Sequence, residues 1–171
     1  MKLLFITIGD IPSIRHHEIY PDLLREFIKN GHDVYVLCSR ERRYGLPTEL
    51  IEEDSARLLK VHIGNITKVN MLEKGISTLL IGKQYKKAIK KYFRDIHFDL
   101  ILYSTPPVTI ANVVEYVKKR DNAKTYLLLK DIFPQNAIDI GLMSKKGIKG
   151  LIYKYFRKQE ENLYAVSDRI G

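Results

Sequence analysis

The chain has 171 residues, enough for one domain with a single core, and its 29 lysines and arginines against 20 acidic residues give a net charge of +9. That balance favours anionic partners (nucleic acid, phosphorylated small molecules or acidic lipid), while the lone Cys38 excludes a disulfide framework and points to a reducing, cytoplasmic setting. No segment approaches the roughly 20 apolar residues needed to span a bilayer, and the run from Met1 to Ile8 ends at Gly9-Asp10 without the cleavage site of a signal peptide.

Lys2 to Ile8 reads as a first strand, followed by the loop Gly9-Asp-Ile-Pro-Ser-Ile14. The spacing of Ile19, Leu23, Leu24, Phe27 and Ile28 predicts a helix from about Arg15 to Asn30, stopped by Gly31. Asp33 to Cys38 is the second strand, and Ser39 to Ser55, polar and charged with Gly45 and Pro47, reads as a surface loop. A third strand is expected over Arg57 to Ile63, then a second long loop from Gly64 to Gly75 and a long helix from about Ser77 to Ile96. Phe98 to Tyr103 is the fourth strand, broken by Ser104-Thr-Pro-Pro107 into a helix ending near Arg120. The fifth strand spans about Lys124 to Leu129, and a last helix, about Ile148 to Ala165, precedes Asp168-Arg-Ile-Gly171, which reads as the start of a sixth. Strands alternating with helices predict an α/β fold: a parallel sheet built from right-handed βαβ units and covered on both faces.

The stretch around Asp131 organises the rest. Tyr126 to Leu129 is bulky enough to be a buried strand, and Lys130 and Asp131 follow where it would emerge. Pro134 suits the first turn of a short helix and Gly141 its end. In an open parallel sheet, ligands sit beyond the carboxyl ends of the strands, so Asp131 is placed to face a substrate; the alternative is that it only caps the short helix. Asp131-Ile-Phe-Pro-Gln-Asn-Ala-Ile-Asp-Ile-Gly-Leu142 resembles the Asp-Leu-Trp-Pro-Glu-Ser-…-Gly-Leu segment of family 4 glycosyltransferases, of the branch that builds bacterial capsule, exopolysaccharide and O-antigen. Phe133 replaces the tryptophan and keeps an aromatic plane, whereas Gln135 lacks the carboxylate of the family's glutamate. The Gly31-His32-Asp33-Val34 step into the second strand is also similar to that class, with His32 read as a packing or turn residue.

The resemblance implies a GT-B architecture of two Rossmann-like domains, with residues 1–171 forming the amino-terminal, acceptor-binding one. The nucleotide-sugar donor and a paired-glutamate motif belong to the carboxy-terminal domain, which this chain does not contain. Such enzymes retain the anomeric configuration and need no metal or other cofactor. Their acceptor is a carbohydrate, often polyprenyl-diphosphate-linked at the cytoplasmic face of the membrane. Asp131 is the catalytic candidate, orienting the acceptor hydroxyl.

Other candidate contacts come from the loops. Gly9 and Asp10 follow the first strand, where backbone N–H groups can meet phosphates, although Asp10 stands where the family has a second glycine. No Gly-x-Gly-x-x-Gly or Gly-Lys-Ser/Thr pattern occurs there, which argues against a nicotinamide enzyme and a Walker loop. Arg15, His16 and His17 would open the first helix, where cations oppose the dipole, so Glu18 or an anionic substrate should compensate them; His16 is the acceptor-contact candidate. Ser104 and Thr105 could hydrogen-bond a sugar or diphosphate, or one of them could cap the next helix. The histidines lack metal-ligand spacing, and nothing in the sequence arranges a covalent nucleophile.

Charge adds a further signal. Lys83, Lys86, Lys87, Lys90, Lys91 and Arg94 recur at helical spacing, opposite Tyr85, Ala88, Ile89, Tyr92 and Phe93. Lys145, Lys146 and Lys149 open a second basic cluster beside Leu151, Ile152, Tyr155 and Phe156. These cations suit an anionic membrane surface, and with the apolar faces packed on the sheet the expectation is electrostatic docking of a peripheral protein without deep insertion. Two rival readings stand beside this one: a non-catalytic membrane- or partner-binding subunit of a split transferase, and a basic nucleic-acid-binding domain. The segregation of aromatics from cations counts against the latter, so nucleic acid is not an expected partner.

Overall fold

Alternation within the strands decides the architecture. Leu4 and Ile6 of β1 (Lys2–Ile6) point to one side with Tyr35 and Leu37 of β2 (Asp33–Glu41), while Leu3, Phe5, Val34 and Val36 point to the other. A central sheet buried on both faces therefore has two cores. The computed structural model describes residues 1–132, 135, 138 and 146–171, with all their side chains except those of Leu72, Ile148 and Lys149. The expected short helix between Pro134 and Gly141, Phe133, Lys145 and the side chain of Lys149 lie outside the described residues.

After β2 come β3 (Glu49–Glu53), β4 (Ala56–Ile63), β5 (Leu100–Ser104), β6 (Lys124–Leu128) and β7 (Arg169–Ile170). The sheet order is β3-β4-β2-β1-β5-β6-β7, parallel throughout except for the β3–β4 pair. The helices are α1 (Ile19–Lys29), α2 (Met71–Tyr92), α3 (Ala111–Asp121) and α4 (Gly147–Val166). Leu24 of α1 joins the core with Leu3 and Phe5, whereas α2, α3 and α4 supply Tyr85, Val114 and Leu163 to the other. This is an α/β, Rossmann-like sheet with helices on both faces. Each fully buried Leu, Ile or Phe contributes about 1.5–3 kcal/mol, and Tyr35, Phe93 and Phe98 pack edge to face with centroids 5.2–5.8 Å apart.

Besides the ends of β1, at Ile6 instead of Ile8, and of α2, at Tyr92 instead of Ile96, three element boundaries differ from the sequence reading. Helix α1 begins at Ile19, not Arg15, because Pro21 is tolerated only in a first turn, where its missing N–H needs no partner. The residues before it are a strap that turns at Ile14 and Arg15: Glu53 accepts from Ser13 Oγ and Ile14 N, and Asp54 accepts from Arg15. Second, the charged loop from Ser39 to Ser55 holds the end of β2 and the antiparallel edge strand β3. Its charges are paired across strands, Arg40 with Glu49 at 2.9 Å and Arg57 with Glu52 at 2.8 Å, instead of being left to water. Third, α2 starts at Met71, inside the expected loop, where the Asn70 side chain accepts from Glu73 N at 2.9 Å. Gly31, at φ +77°, ends α1 as expected, and the His32 ring lies 5.9 Å from Phe27.

A buried knot ties α2, β5 and α3 together at the amino edge of the sheet. Asp121, with a fully buried side chain, accepts from Arg120 Nε and Nη2 (2.6 and 2.7 Å) and from Phe98 N (3.1 Å). Arg120 also donates to the carbonyls of Phe93 and Ile96, just past the end of α2. Burial alone would raise the Asp121 carboxyl; the donors from Arg120 and Phe98 outweigh it and hold it below the usual range. Asp121→Ala is expected to cost about 3 kcal/mol, since truncation leaves a mostly buried guanidinium unpaired, read as a lower urea midpoint. Because the folded carboxyl is depressed, the stabilisation should be complete above about pH 4 and fade as pH falls through the lower folded value. An unchanged midpoint at neutral pH would remove the knot from the account.

Candidate functional site

Strand order reverses at β1, which has β2 on one side and β5 on the other, and in open α/β sheets the ligand crevice lies beyond the carboxyl ends of the strands at such a point. A row of hydroxyls ties these tips together. The Tyr85 phenol, reaching in from α2, donates to the Thr7 carbonyl at 2.7 Å. Its single proton is thereby used, so Ser39 Oγ, at 2.5 Å, must donate to Tyr85 Oη. Thr7 Oγ1 accepts from Gly9 N and from Ser104 Oγ, both at 3.3 Å. Thr105 N donates to Leu128 O at 3.2 Å, and Thr105 Oγ1 accepts from Lys130 N at 3.1 Å. The tips of β2, β1, β5 and β6 are thus locked in register by buried groups. Burial pushes the Tyr85 phenol up, so it stays neutral.

The sequence candidates divide on this rim. Asp131 follows directly on Lys130, emerges exposed past the tip of β6, and has no hydrogen-bond partner among the described residues. Gly9 and Asp10 are exposed at the tip of β1, but the Gly9 N–H is occupied by Thr7, and a Cβ there would meet only Thr7 Oγ1 at 3.9 Å. Close phosphate approach does not require that glycine. Ser104 and Thr105 are buried and hold the rim from behind; neither caps a helix, since Pro107 and Ile110 are the capping positions that follow. His16 stands apart. The strap carrying it is bonded to the β3–β4 turn, beside the amino end of β4, and its carbonyl accepts from Arg25 at 2.7 Å. Arg15 is compensated by Asp54 and His17 faces Asp22, in place of Glu18 or a substrate.

Several contributors escaped the sequence reading. Lys60, buried in the middle of β4, sends its ammonium to the Pro12 carbonyl at 3.0 Å and to Asp10 at 3.4 Å, fixing the loop after β1. Lys130 Nζ lies 4.1 Å over the Tyr20 ring, at the mouth of the crevice. Only the alternation of β4, which turns Lys60 toward that loop, could have signalled the first. Cys38 is buried and its thiol is pushed by burial up to about 11, so it is no nucleophile. Among the described residues no group of three or more His, Cys, Asp or Glu could hold a metal ion.

On the helices, Lys83, Lys87, Lys90, Lys91 and Arg94 are exposed and Lys86 half-buried, opposite the buried Tyr85, Ala88, Ile89 and Phe93. Lys146 is exposed. Two expectations need correction. Aromatics and cations are not fully segregated, because Lys86 and Lys90 lie over Tyr116 of α3 at 4.9 and 5.1 Å. Nor are the apolar faces all packed on the sheet: Leu151, Ile152 and Tyr155 of α4 are exposed, because that helix turns Phe156, Glu160 and Leu163 inward instead. Among the described residues no helix is long and apolar enough to cross a membrane.

No family model and no curated protein sequence matches the chain. Solved structures do. A trehalose-6-phosphate enzyme from E. coli bound with UDP-2-fluoro glucose superposes with a TM-score of 0.62 at 10% identity, over 100% of this chain and 39% of that one. The apo structure of OtsA gives 0.59 at 10% identity, over 99% and 39%. The glycotransferase of kitacinnamycin gives 0.54 at 11% identity, over 99% and 45%. The chain therefore shares the fold of the Rossmann-like half of GT-B glycosyltransferases, and it spans about two-fifths of the length of these structures.

The Lys60 tether has a measurable consequence. Lys60→Met is expected to leave global stability within about 1 kcal/mol, because the partner left behind, Asp10, is exposed enough to stay hydrated while the methionine keeps the buried stem packed. Amide exchange across residues 9–14 should nevertheless speed up at least tenfold in hydrogen-exchange mass spectrometry. Unchanged exchange there would show that the loop is held by its own packing.

Proposed function

We propose that this chain is the acceptor-binding half of a retaining glycosyltransferase of the family 4 type, which moves a sugar from a nucleotide-sugar to a polysaccharide precursor. The observation that carries the reading is Asp131, an exposed carboxylate that follows Lys130, whose backbone N–H is bonded to the hydroxyl row through Thr105, two strands from the strand-order reversal. The fold it sits in is that of transferases, one of them bound with UDP-2-fluoro glucose. In this reading the Asp131 carboxylate accepts the proton of the acceptor hydroxyl in a hydrogen bond and aims its oxygen at the sugar carbon. Asp10 and Lys130 offer one acceptor and one cation to the neighbouring hydroxyls or to a diphosphate. The buried Ser104 and Thr105 act from behind by holding the rim, and His16 has no part in it. The nucleotide-sugar binds a second lobe that closes over the crevice, and no metal or further cofactor enters. The acceptor is lipid-linked, in keeping with the cations of α2 and α4, which suit both a diphosphate and the anionic inner face of a membrane.

The split-transferase reading differs only in where the donor lobe is encoded and whether it acts. A nucleic-acid role is disfavoured because Tyr116 and Tyr92, the rings beside the cations of α2, already carry Lys86, Lys90 and Lys91 over them, where stacked bases would have to compete.

With the donor-binding lobe present, Asp131→Ala is expected to lower turnover by about 10²-fold with little change in the KM for the nucleotide-sugar. Asp131→Asn, which keeps a hydrogen-bond acceptor, should fall between. Wild-type turnover in the alanine variant, in a direct transfer assay, removes Asp131 from the mechanism. Acceptor binding with no transfer in any variant favours the non-catalytic subunit.

A further inference from the structure

The first halves of α2 and α4 carry exposed apolar side chains that neither the sheet nor the acceptor crevice accounts for. On α2 the outward stripe is Ile76, Leu79 and Leu80, and on α4 it is Leu151, Ile152 and Tyr155; each is between 42 and 67% exposed. Both half-helices lie at the same end of the sheet. Helix α2 enters from the carboxyl side of β4, α4 runs back to the amino end of β7, and both pack against the 3-10 turn Val108–Ile110 beyond the tip of β5. Thr109 Oγ1 donates to the Thr78 carbonyl at 2.9 Å, fixing α2 to that turn.

The same stripe changes character along α2. One turn past Leu79 and Leu80 it becomes Lys83 and Lys87, then Lys90 and Lys91, and no acidic residue occurs from Lys74 to Arg94. On α4 none occurs from Lys146 to Gln159, and Lys154 flanks the apolar residues. Apolar side chains bordered by cations, without a carboxylate among them, match the two layers of an anionic leaflet: acyl chains for the first, head groups for the second. A second copy of this chain would instead bring like charges together.

We propose that Ile76, Leu79, Leu80, Leu151, Ile152 and Tyr155 insert into an anionic bilayer, with Lys83, Lys87 and Lys154 held at the head groups. The chain therefore docks by insertion as well as by charge. This does not rest on the transferase reading, and its test measures no sugar transfer.

Sedimentation with vesicles of equal parts phosphatidylglycerol and phosphatidylcholine is compared with pure phosphatidylcholine, at 0.1 and 0.5 M sodium chloride. Binding is expected to the anionic vesicles only, with a fraction retained at high salt. Leu79→Ser combined with Leu151→Ser should lower the partition coefficient at least tenfold and abolish the retained fraction, at unchanged circular dichroism and melting temperature. Lys83→Gln with Lys87→Gln should lower binding at low salt. Because Cys38 is buried, a polarity-sensitive dye can be placed at Leu80→Cys alone, and its emission should shift to the blue on binding. Wild-type binding by the double serine variant, or binding without a dye shift, would mean that charge alone holds the chain. Absence of vesicle binding, or a concentration-dependent dimer dissolved by the serine substitutions, would also overturn the proposal.

Discussion

The bond from the Tyr85 phenol to the Thr7 carbonyl is the constraint on which the rest depends. The last N–H of β1's extension, from Thr7, is already committed to Leu37, so its carbonyl must find a donor where the sheet runs out. A side chain from α2 supplies one, and with it fixes how that helix lies across the β4-to-β5 crossover. Ser39, Ser104 and Thr105 extend the row sideways, the first two by bonding the hydroxyls of Tyr85 and Thr7 and the third by accepting from the backbone N–H of Lys130. A stiff edge results. Asp131 follows the last residue tied to it, Lys130.

Charged residues serve the same purpose further from the crevice. Arg40 with Glu49 and Lys60 with Asp10 each join two segments distant in sequence, the adjacent Arg120 and Asp121 together reach Phe93, Ile96 and Phe98, and in each pair the basic member is largely buried. These pairs specify position more than they add stability, since the cost of desolvating them offsets much of their attraction. The cations of α2 and α4 are a separate population, left on the outside. A net charge of +9 therefore understates how polarised the surface is.

Periodic features were readable from residues alone. The apolar runs of β1, β2, β4, β5 and β6, the buried side of α2 at Tyr85, Ile89 and Phe93, and the emergence of Lys130 and Asp131 after β6 follow from alternation and helical spacing. What escaped was set by partners distant in sequence. Glu49 to Glu53 looks like a loop until Lys60 and Arg57 stand opposite it in β4. Arg15 and His16 look like a helix start until Glu53 and Asp54 hold the strap out. Ser104 looks like a cap until Thr7 is beside it. One local signal was there to be used: Asn70, three residues before Glu73, marks the start of α2 as clearly as any capping pattern does.

The central place of β1 has a consequence for biosynthesis. Lys2 to Ile6 are made shortly before β2 and can pair early with it, but their other neighbour, Leu100 to Tyr103, is made almost a hundred residues later. At about 5–20 residues per second the nascent chain waits several seconds with a hydrophobic strand edge open. Such an edge is a template for illicit pairing, and a chaperone or the early docking of α2 must shield it. The hydroxyl row cannot close before Thr105 has been added, so the candidate site becomes native only after β1, β2 and β4 have waited for β5.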